Sequence, residues 1–203
     1  MRFDVLGVIF SCLLFSACSV SPTKFDPNHG QQNPSWLKHK AEIGNINQWQ
    51  ISGRFGAQSE TESWHGSINW SQNIDQYDIH ISGPLSSGSF TLQGDSNLST
   101  LKLAKDKSYE ADDPELLLET YTGLRLPVKN LRYWIVGTPS PLYNDSRIIL
   151  NNEGLLSKLS QMGWDISFKN YSKISNVLLP RKIFLENHEF DVRLVIQNWQ
   201  IIS

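Results

Sequence analysis

Catalytic chemistry needs particular side chains at particular spacings, and this 203-residue chain offers few candidates. The five histidines show neither the paired spacing of a helical zinc motif nor a cysteine-histidine cluster, so no metal site is predicted. No serine lies in a Gly-x-Ser-x-Gly elbow, and no glycine-rich run follows a strand and opens a helix. Asp112, Asp113 and Glu115 could form an acid–base cluster, but helix capping is the simpler interpretation. The sequence therefore predicts no enzyme and no cofactor, although a hydrolase assembled from distant residues stays open.

Cys18 is the residue with the clearest chemical setting. The apolar run over residues 5–15 has the length of a signal-peptide core and is too short to span a bilayer. The sequence Leu-Phe-Ser-Ala-Cys that ends at Cys18 resembles the lipobox of bacterial lipoproteins, in which the cysteine is lipidated and becomes the first residue. Cys12 would be removed with the signal, which leaves Cys18 without a disulfide partner. The alternative is an ordinary secretory signal that is cleaved nearby.

The composition fits one anchored globular domain. We interpret residues 1–17 as a lipoprotein signal peptide, 18–34 as a flexible polar tether, and 35–203 as the folded domain. With 39% hydrophobic residues the domain can bury a sizeable core. The formal net charge of −2 lacks the excess of positive charge that is typical of proteins that bind nucleic acid. We expect a monomer.

The clearest structural element is a hairpin over residues 76–94. Apolar residues alternate with polar ones on both of its sides, which is the period of half-buried antiparallel strands. Turn-forming residues at 83–88 connect the two strands, and this turn contains Pro84 followed by Leu85. Because a turn normally presents polar residues, Leu85 either folds back onto the core or is held out to contact an apolar partner such as lipid.

The rest of the chain alternates strand patterns with a few helices. Helices are predicted at 35–47, at 113–123 and at 130–136, from capping residues and apolar spacing. Further strands are predicted at 49–55, 64–70, 98–103, 147–150, 155–161, 164–168, 177–185 and 190–199. Many short strands indicate a mainly β fold, in which a large antiparallel sheet curls into a half-open barrel and a few helices cover its concave side.

Several motifs together give the chain a likeness to a known family. They are the lipobox, Trp-Gln-Ile-Ser-Gly-Arg-Phe at 49–55, Ile-Asn-Trp-Ser-Gln at 68–72, the stretch at 77–85 that ends in the Pro84-Leu85 turn, Tyr-Glu-Ala-Asp-Asp at 109–113, Gly-Leu-Arg-Leu-Pro at 123–127, Leu-Arg-Tyr-Trp-Ile-Val-Gly-Thr-Pro at 131–139, Gly-Trp at 163–164 and Asn-Trp at 198–199. In this order and spacing they resemble the LolB family of outer-membrane lipoprotein receptors. Ser86 departs from the glycine that this family often has after the Pro-Leu pair.

The resemblance implies a function. It implies a half-open barrel with an apolar cavity for the acyl chains of cargo lipoproteins, which a periplasmic LolA-like carrier delivers. It implies anchoring through lipidated Cys18 on the inner leaflet of the outer membrane, facing the periplasm. It also implies a membrane-insertion loop at Pro84 and Leu85, which favours the exposed interpretation of Leu85.

The residues that line such a cavity are harder to identify. Candidates are taken from the apolar positions of the predicted strands and central helices: Trp49, Trp70, Leu116, Leu117, Trp134 and Ile135. A curled sheet can enclose an apolar ligand, but ordinary core packing explains each of these residues equally well. A lipid-anchored barrel that serves as an envelope assembly or structural protein, and binds a protein instead of lipid, is the alternative function.

Overall fold

The computed structural model describes residues 31–83, 88–104 and 106–202. In these ranges the chain forms three α-helices and thirteen β-strands. The helices are α1 (Pro34–Ile43), α2 (Pro114–Thr122) and α3 (Val128–Ile135). The strands are β1 (Gln48–Gln58), β2 (Ser63–Asn73), β3 (Gln76–Ser82), β4 (Phe90–Gly94), β5 (Ser99–Leu103), β6 (Ser108–Ala111), β7 (Ser146–Leu150), β8 (Leu156–Gln161), β9 (Trp164–Lys169), β10 (Ser172–Ile174), β11 (Val177–Leu179), β12 (Lys182–Glu186) and β13 (Asp191–Ile201).

Within the described residues, eleven strands form one antiparallel sheet in the order β6-β5-β4-β3-β2-β1-β13-β12-β9-β8-β7. The first six strands are a meander that ends at one edge of the sheet. The chain then crosses to the opposite edge through α2 and α3, and it returns to the middle, where β13 pairs with β1. β10 and β11 form a separate hairpin. The predicted fold class, a large open antiparallel sheet with few helices, is confirmed.

Alternating burial explains the long central strands. On β1 the residues Trp49, Ile51 and Phe55 are buried, while the side chains between them point away from the core. Gly53 lies on the buried face at the point where the pairing of β1 with β13 shifts register. A Cβ atom there would lie 2.1 Å from the carbonyl oxygen of Val195, so only glycine allows the two backbones to approach this closely.

The ends of α2 confirm the capping interpretation of the acidic cluster. The Asp113 carboxylate accepts hydrogen bonds from the backbone N–H groups of Glu115 (2.9 Å) and Leu116 (3.3 Å). Pro114 takes the first helical position, where its missing N–H group costs nothing. Gly123 ends the helix in the left-handed conformation, with φ of 72°.

The first helix and the strand predicted at 177–185 differ from the structure in their bounds. The first helix, predicted at 35–47, begins at Pro34 with Asn33 as its N-cap, and it ends at Ile43 because Gly44 follows. The side chain of Asn33 accepts from the backbone N–H of Trp36 at 3.2 Å, which sets the start of the helix. The predicted strand at 177–185 is two strands, because Pro180 has no N–H group for the ladder.

Two further strands, β6 and β10, were not predicted, because four and three residues are too few to show an alternation. No helix in the described part of the chain has the length and apolar character needed to cross a membrane.

Candidate functional site

An apolar interior lies between the curled sheet and its helical cover. The sheet contributes side chains from six neighbouring strands, and the cover contributes side chains from α2, α3 and their connection. The lining residues are Phe55, Ile68, Trp70, Ile79, Ile81, Phe90, Leu92, Leu118, Leu126, Val128, Leu131, Leu185, Val192 and Leu194. All of these side chains are hydrocarbon or indole, so the interior suits an apolar ligand and offers no group for catalysis.

The apolar interior is closed in this conformation. Its free volume is about 20 Å³, whereas sites for small ligands have volumes of about 300–1,000 Å³. A ligand of the size of an acyl chain therefore does not fit this conformation unless the lining rearranges. Dense packing of this kind favours two discrete arrangements over a gradual expansion.

An exposed ion-pair cluster joins the cover to the rim of the sheet. Arg125, in the connection between α2 and α3, contacts Glu119 on α2, and it also lies 2.9 Å from the carboxylate of Glu189 in the turn between β12 and β13. The hydrogen bond from Arg125 lowers the pKa of the Glu119 carboxyl below its usual value. Because these side chains are half exposed, the cluster is a weak restraint on the cover.

A buried glutamine fixes α3. The Gln161 side-chain oxygen accepts hydrogen bonds from the Trp134 indole N–H and the Ser140 backbone N–H, both at 2.9 Å. Its amide nitrogen donates to the carbonyl oxygens of Ser140 (2.9 Å) and Tyr143 (3.2 Å). Since a buried indole N–H needs a partner, Gln161 determines where Trp134, and with it the end of α3, can lie.

The structure places the predicted cavity residues in different environments. Trp70 lines the apolar interior, and Leu117 is buried on α2 beside it. Trp134 and Ile135 are fully buried in the core under α3 and do not line the interior. Leu116 lies on the outer side of α2, where 59% of its surface is exposed.

Trp49 separates the interior from a second depression. Its ring packs against Trp70 at a centroid distance of 5.3 Å, and its other side faces a groove of about 660 Å³. This groove lies between α1, the end of α3, the turn between β2 and β3, and the segment 138–148. Buried aromatic and aliphatic side chains form its floor, and the charged residues Lys40, Asp75 and Arg132 stand along it.

Sequence reasoning missed all four residues that the cover contributes to the lining, namely Leu118, Leu126, Val128 and Leu131. The strand side of the lining had a signal, because the alternation in the hairpin already marked Ile79 and Leu92 as facing the core. The cover had no comparable signal in the sequence. Because α2 contains three consecutive leucines, their spacing does not show which of them faces the sheet.

Three predicted site residues, Cys18, Pro84 and Leu85, lie outside the described residues. The hairpin that carries the Pro84-Leu85 turn is confirmed on both sides: β3 and β4 pair from Tyr77 with Gly94 to Ile81 with Phe90. On its outer face His80 forms hydrogen bonds with Thr91 (2.8 Å) and Ser82 (2.7 Å). Backbone pairing and these side-chain hydrogen bonds therefore hold β3 and β4 together up to the pair Ile81 and Phe90.

An open antiparallel half-barrel that encloses an apolar interior under a helical cover defines the class of this protein. Solved structures share the fold at very low sequence identity. A protein of the DUF1329 family from Desulfovibrio piger superposes with a TM-score of 0.56 at 7% identity, over 83% of this chain and 92% of that one. A LolA-superfamily protein from Nitrosomonas europaea gives a TM-score of 0.55 at 8% identity, with the same coverage of each chain.

Relatives at higher identity define the family. The family model described as "Outer membrane lipoprotein LolB" matches residues 47–199. Proteins named outer-membrane lipoprotein LolB are 35% identical in Pseudomonas fluorescens, over 97% of this chain and 93% of that protein, and 33% identical in Stutzerimonas stutzeri, over 97% and 95%. This chain belongs to the LolB family.

Proposed function

We propose that this protein is an outer-membrane lipoprotein receptor, which accepts acylated lipoproteins from a periplasmic carrier and inserts them into the outer membrane without catalysis. The observation that carries the proposal is the interior between sheet and cover, which is lined by apolar side chains alone. Membership in a family described as outer-membrane lipoproteins supports the location. The lipobox at Cys18 supports a lipid anchor.

The physical need for such a receptor follows from the hydrophobic effect. Exposing one acyl methylene to water costs about 0.8 kcal/mol. Three acyl chains of about fifteen carbons each would therefore cost on the order of 30 kcal/mol or more to expose. Cargo must then pass from one protected interior to another. Transfer from a LolA-like carrier runs toward the protein that binds the chains more tightly, and no nucleotide is consumed.

The location of the protein follows from its N-terminal segment. Lipidated Cys18 anchors the chain on the inner leaflet of the outer membrane, and the polar segment between Cys18 and the folded domain lets the domain face the periplasm. A single copy suffices, because one chain supplies the whole lining. The loop with Pro84 and Leu85 contacts the bilayer when cargo leaves the interior.

A transfer assay tests the proposal. The mature chain with Cys18→Ala is mixed with a carrier that holds an acylated lipoprotein, without membranes or nucleotide, and the distribution of cargo is measured. We expect cargo to move onto this protein. Leu118→Asn, which places a polar group in the interior, should reduce the amount accepted. Leu116→Asn is the matched control, because Leu116 lies two residues away on the outer side of the same helix.

Circular dichroism must show that both variants are folded. If the folded protein accepts no cargo from an active carrier, the receptor function is wrong and an assembly protein that binds a protein partner becomes the better interpretation. Equal loss of acceptance in the two variants would show that the interior is not the binding site.

A further inference from the structure

The outer face of the sheet carries one cation on each of five neighbouring strands. β1, β13, β12, β9 and β8 lie side by side in the sheet. Their outward-facing cations, which we call the basic band, are Arg54, Arg193, Lys182, Lys169 and Lys158 in that order. Because neighbouring strands lie about 4.8 Å apart, the basic band is about 19 Å long. Lys182 and Lys169 are directly opposite each other, and like charges at paired positions destabilise a sheet.

Phe184 lies in the middle of the basic band. It pairs with Arg193 on β13 and is half-buried on the outer face of β12. The Lys169 ammonium lies 5.2 Å from the centroid of the Phe184 ring, and the Arg193 guanidinium lies 5.5 Å from it. These contacts with the ring hold both charges close to the surface of the sheet. An aromatic ring beside arginine is also the combination that is enriched where proteins bind one another.

A second row on the same face carries the opposite charge. Asp191, Glu186 and Asp165 are aligned across β13, β12 and β9, and we call them the acidic band. Asp191 and Arg193 are next to each other on the outer face of β13, so the two bands are about 7 Å apart. Among the described residues, no carboxylate lies within 4 Å of any cation of the basic band. The charges of the basic band are therefore available to a partner.

The other half of the outer face differs, because its charged groups are connected by hydrogen bonds. Gln93 on β4 donates to the Asp78 carboxylate at 2.7 Å and accepts from the Lys102 ammonium at 3.0 Å. Thr100 donates to Glu110 at 3.4 Å. The basic band thus concentrates positive charge on one half of the face, although the chain has a formal net charge of −2. A local potential of this kind attracts a partner of opposite sign.

The pattern of charges indicates a protein partner. An anionic bilayer or polymer presents one sign of charge, and the acidic band would repel it. The acidic band lies at the end of the sheet where β1 turns into β2, since Asp191 pairs with Gln58. The loop after Ser82 leaves the sheet at the same end, because Ser82 pairs with Ser67 near the start of β2. A bilayer that contacts this loop approaches the sheet from its acidic side, whereas a protein surface presents both signs and apolar groups together.

We propose that the basic band docks an acidic segment of another protein. Carboxylates of the partner pair with the five cations, and one of its apolar side chains packs against Phe184. The acidic band repels a wider acidic surface, so it limits the partner's acidic segment to the width of the basic band. This site is separate from the one that accepts cargo, because Leu185 and Leu194 of the same strands face the interior on the opposite side of the sheet. A contact of about 19 Å in length is smaller than a standard interface, so the complex is transient.

A defined peptide tests the proposal. This probe is a peptide of about ten residues, in which glutamate alternates with serine around one central leucine, and its extended length exceeds that of the basic band. Its binding to the mature chain with Cys18→Ala is measured by fluorescence anisotropy. We expect binding at low salt that weakens as salt is added, because salt screens exposed charges. The same peptide with glutamine in place of glutamate should not bind measurably.

Two charge reversals locate the contact. Arg193→Glu should weaken binding of the probe at least about five-fold, because it removes one ion pair and repels the carboxylates of the peptide. Arg147→Glu is the matched control and should bind the probe as the parent does. It changes the net charge by the same amount, and Arg147 is exposed on the same face, but it lies on β7 in the row of the acidic band.

Phe184→Ser tests the apolar part of the contact. This variant should weaken binding of the leucine probe more than binding of a peptide whose central leucine is replaced by serine, since only the first peptide has a side chain that packs on the ring. Circular dichroism must show that all three variants are folded.

Equal weakening by Arg193→Glu and Arg147→Glu would overturn the proposal, because the peptide would then respond to net charge alone. Equal binding of the glutamate and glutamine peptides would overturn it too. Preference of the parent for vesicles with phosphatidylglycerol over the probe, lost in Arg193→Glu, would assign the basic band to a membrane instead. A parent that sediments as a dimer, when Arg193→Glu is a monomer, would assign it to a second copy of this chain. These measurements involve neither cargo nor carrier, so their outcome is independent of the receptor function.

Discussion

Leu85 follows Pro84 in the loop between β3 and β4, and the proposed insertion step depends on it. Leu85→Glu places a charge where the proposal requires contact with acyl chains, at a cost of a few kcal/mol if the residue enters the bilayer. We expect cargo acceptance to stay unchanged, while insertion of cargo into liposomes becomes at least about ten-fold slower. Sedimentation of the liposomes after transfer measures the inserted fraction.

Leu98→Glu provides the matched control for Leu85, because Leu98 is a half-exposed leucine in the turn between β4 and β5, at the other end of β4. It should insert cargo normally. Normal insertion by Leu85→Glu would contradict the role of this loop.

His39 makes the stability of the domain depend on pH. Its ring is buried on α1 against Trp36 and Tyr171, at centroid distances of 6.3 and 6.5 Å, and its Nε2 atom has no partner among the described residues. Burial lowers the pKa of His39 below its usual value, with a smaller opposing effect from Glu42. The unfolded chain therefore binds a proton more readily than the folded one, and the free energy of unfolding should fall as pH drops below about 6.5.

Urea unfolding at pH 8, 6 and 5 checks this prediction. His39→Phe should flatten the fall in stability over this range, because it removes the group whose pKa differs between the two states. His65→Phe changes an exposed histidine on β2, and its free energy of unfolding should decrease with falling pH as that of the parent does. A parent protein whose stability rises toward pH 5 would show that the sign is wrong.

The Arg125 cluster acts at the scale of elements, because it connects the cover to a turn of the sheet. An exposed ion pair contributes about 1 kcal/mol or less, so Arg125→Ala should change global stability little. It should, however, raise the population of open cover by up to about five-fold, since 1 kcal/mol corresponds to that ratio. Amide hydrogen exchange in α2 and α3 measures the opening, and exchange in β1 serves as the internal reference.

High salt should raise exchange in the parent toward the level of Arg125→Ala, because it screens the same charges. Identical exchange in the two proteins at low salt would mean that packing and the Gln161 hydrogen bonds hold the cover without help from this cluster.

Much of the fold could be predicted from residues that act locally. The caps of α2 follow from Asp113, Pro114 and Gly123, and the hairpin follows from its alternating pattern. The lining of the interior could not be predicted in the same way. Leu116, Leu117 and Leu118 are identical in type, and only the rotation of α2 on the sheet decides that the first is exposed and the last faces the interior.

The groove beside Trp49 could not be predicted from the sequence for a related reason. Its lining comes from segments that are far apart in the chain, and no periodic pattern connects them. Ile74 gave no signal either, because the two-residue turn between β2 and β3 requires a positive φ at this position, which isoleucine disfavours.

At the scale of the whole molecule, the sheet and the cover are held by different forces. Backbone ladders join all eleven strands, including β1 and β13 in the middle, so the sheet behaves as one unit. The cover is joined to it by side-chain packing, by the Arg125 cluster and by the buried hydrogen bond between Trp134 and Gln161 on β8. The chain enters and leaves the cover at opposite edges of the sheet. Opening the cover therefore costs less than unfolding and leaves the ladders intact.

This arrangement predicts the kinetics of loading. If the closed interior must open before an acyl chain enters, the loading rate should rise with ligand concentration and then reach a plateau equal to the rate of opening. Fatty acids brominated along the chain provide the readout, because they quench the fluorescence of Trp70, which lines the interior. Trp70→Phe should lose most of this quenching, whereas Trp164→Phe, a buried tryptophan outside the lining, should keep it. Arg125→Ala should raise the plateau in proportion to its faster hydrogen exchange, because both measurements report the same motion. A rate that stays linear in ligand concentration would show that the interior is already open to acyl chains in solution.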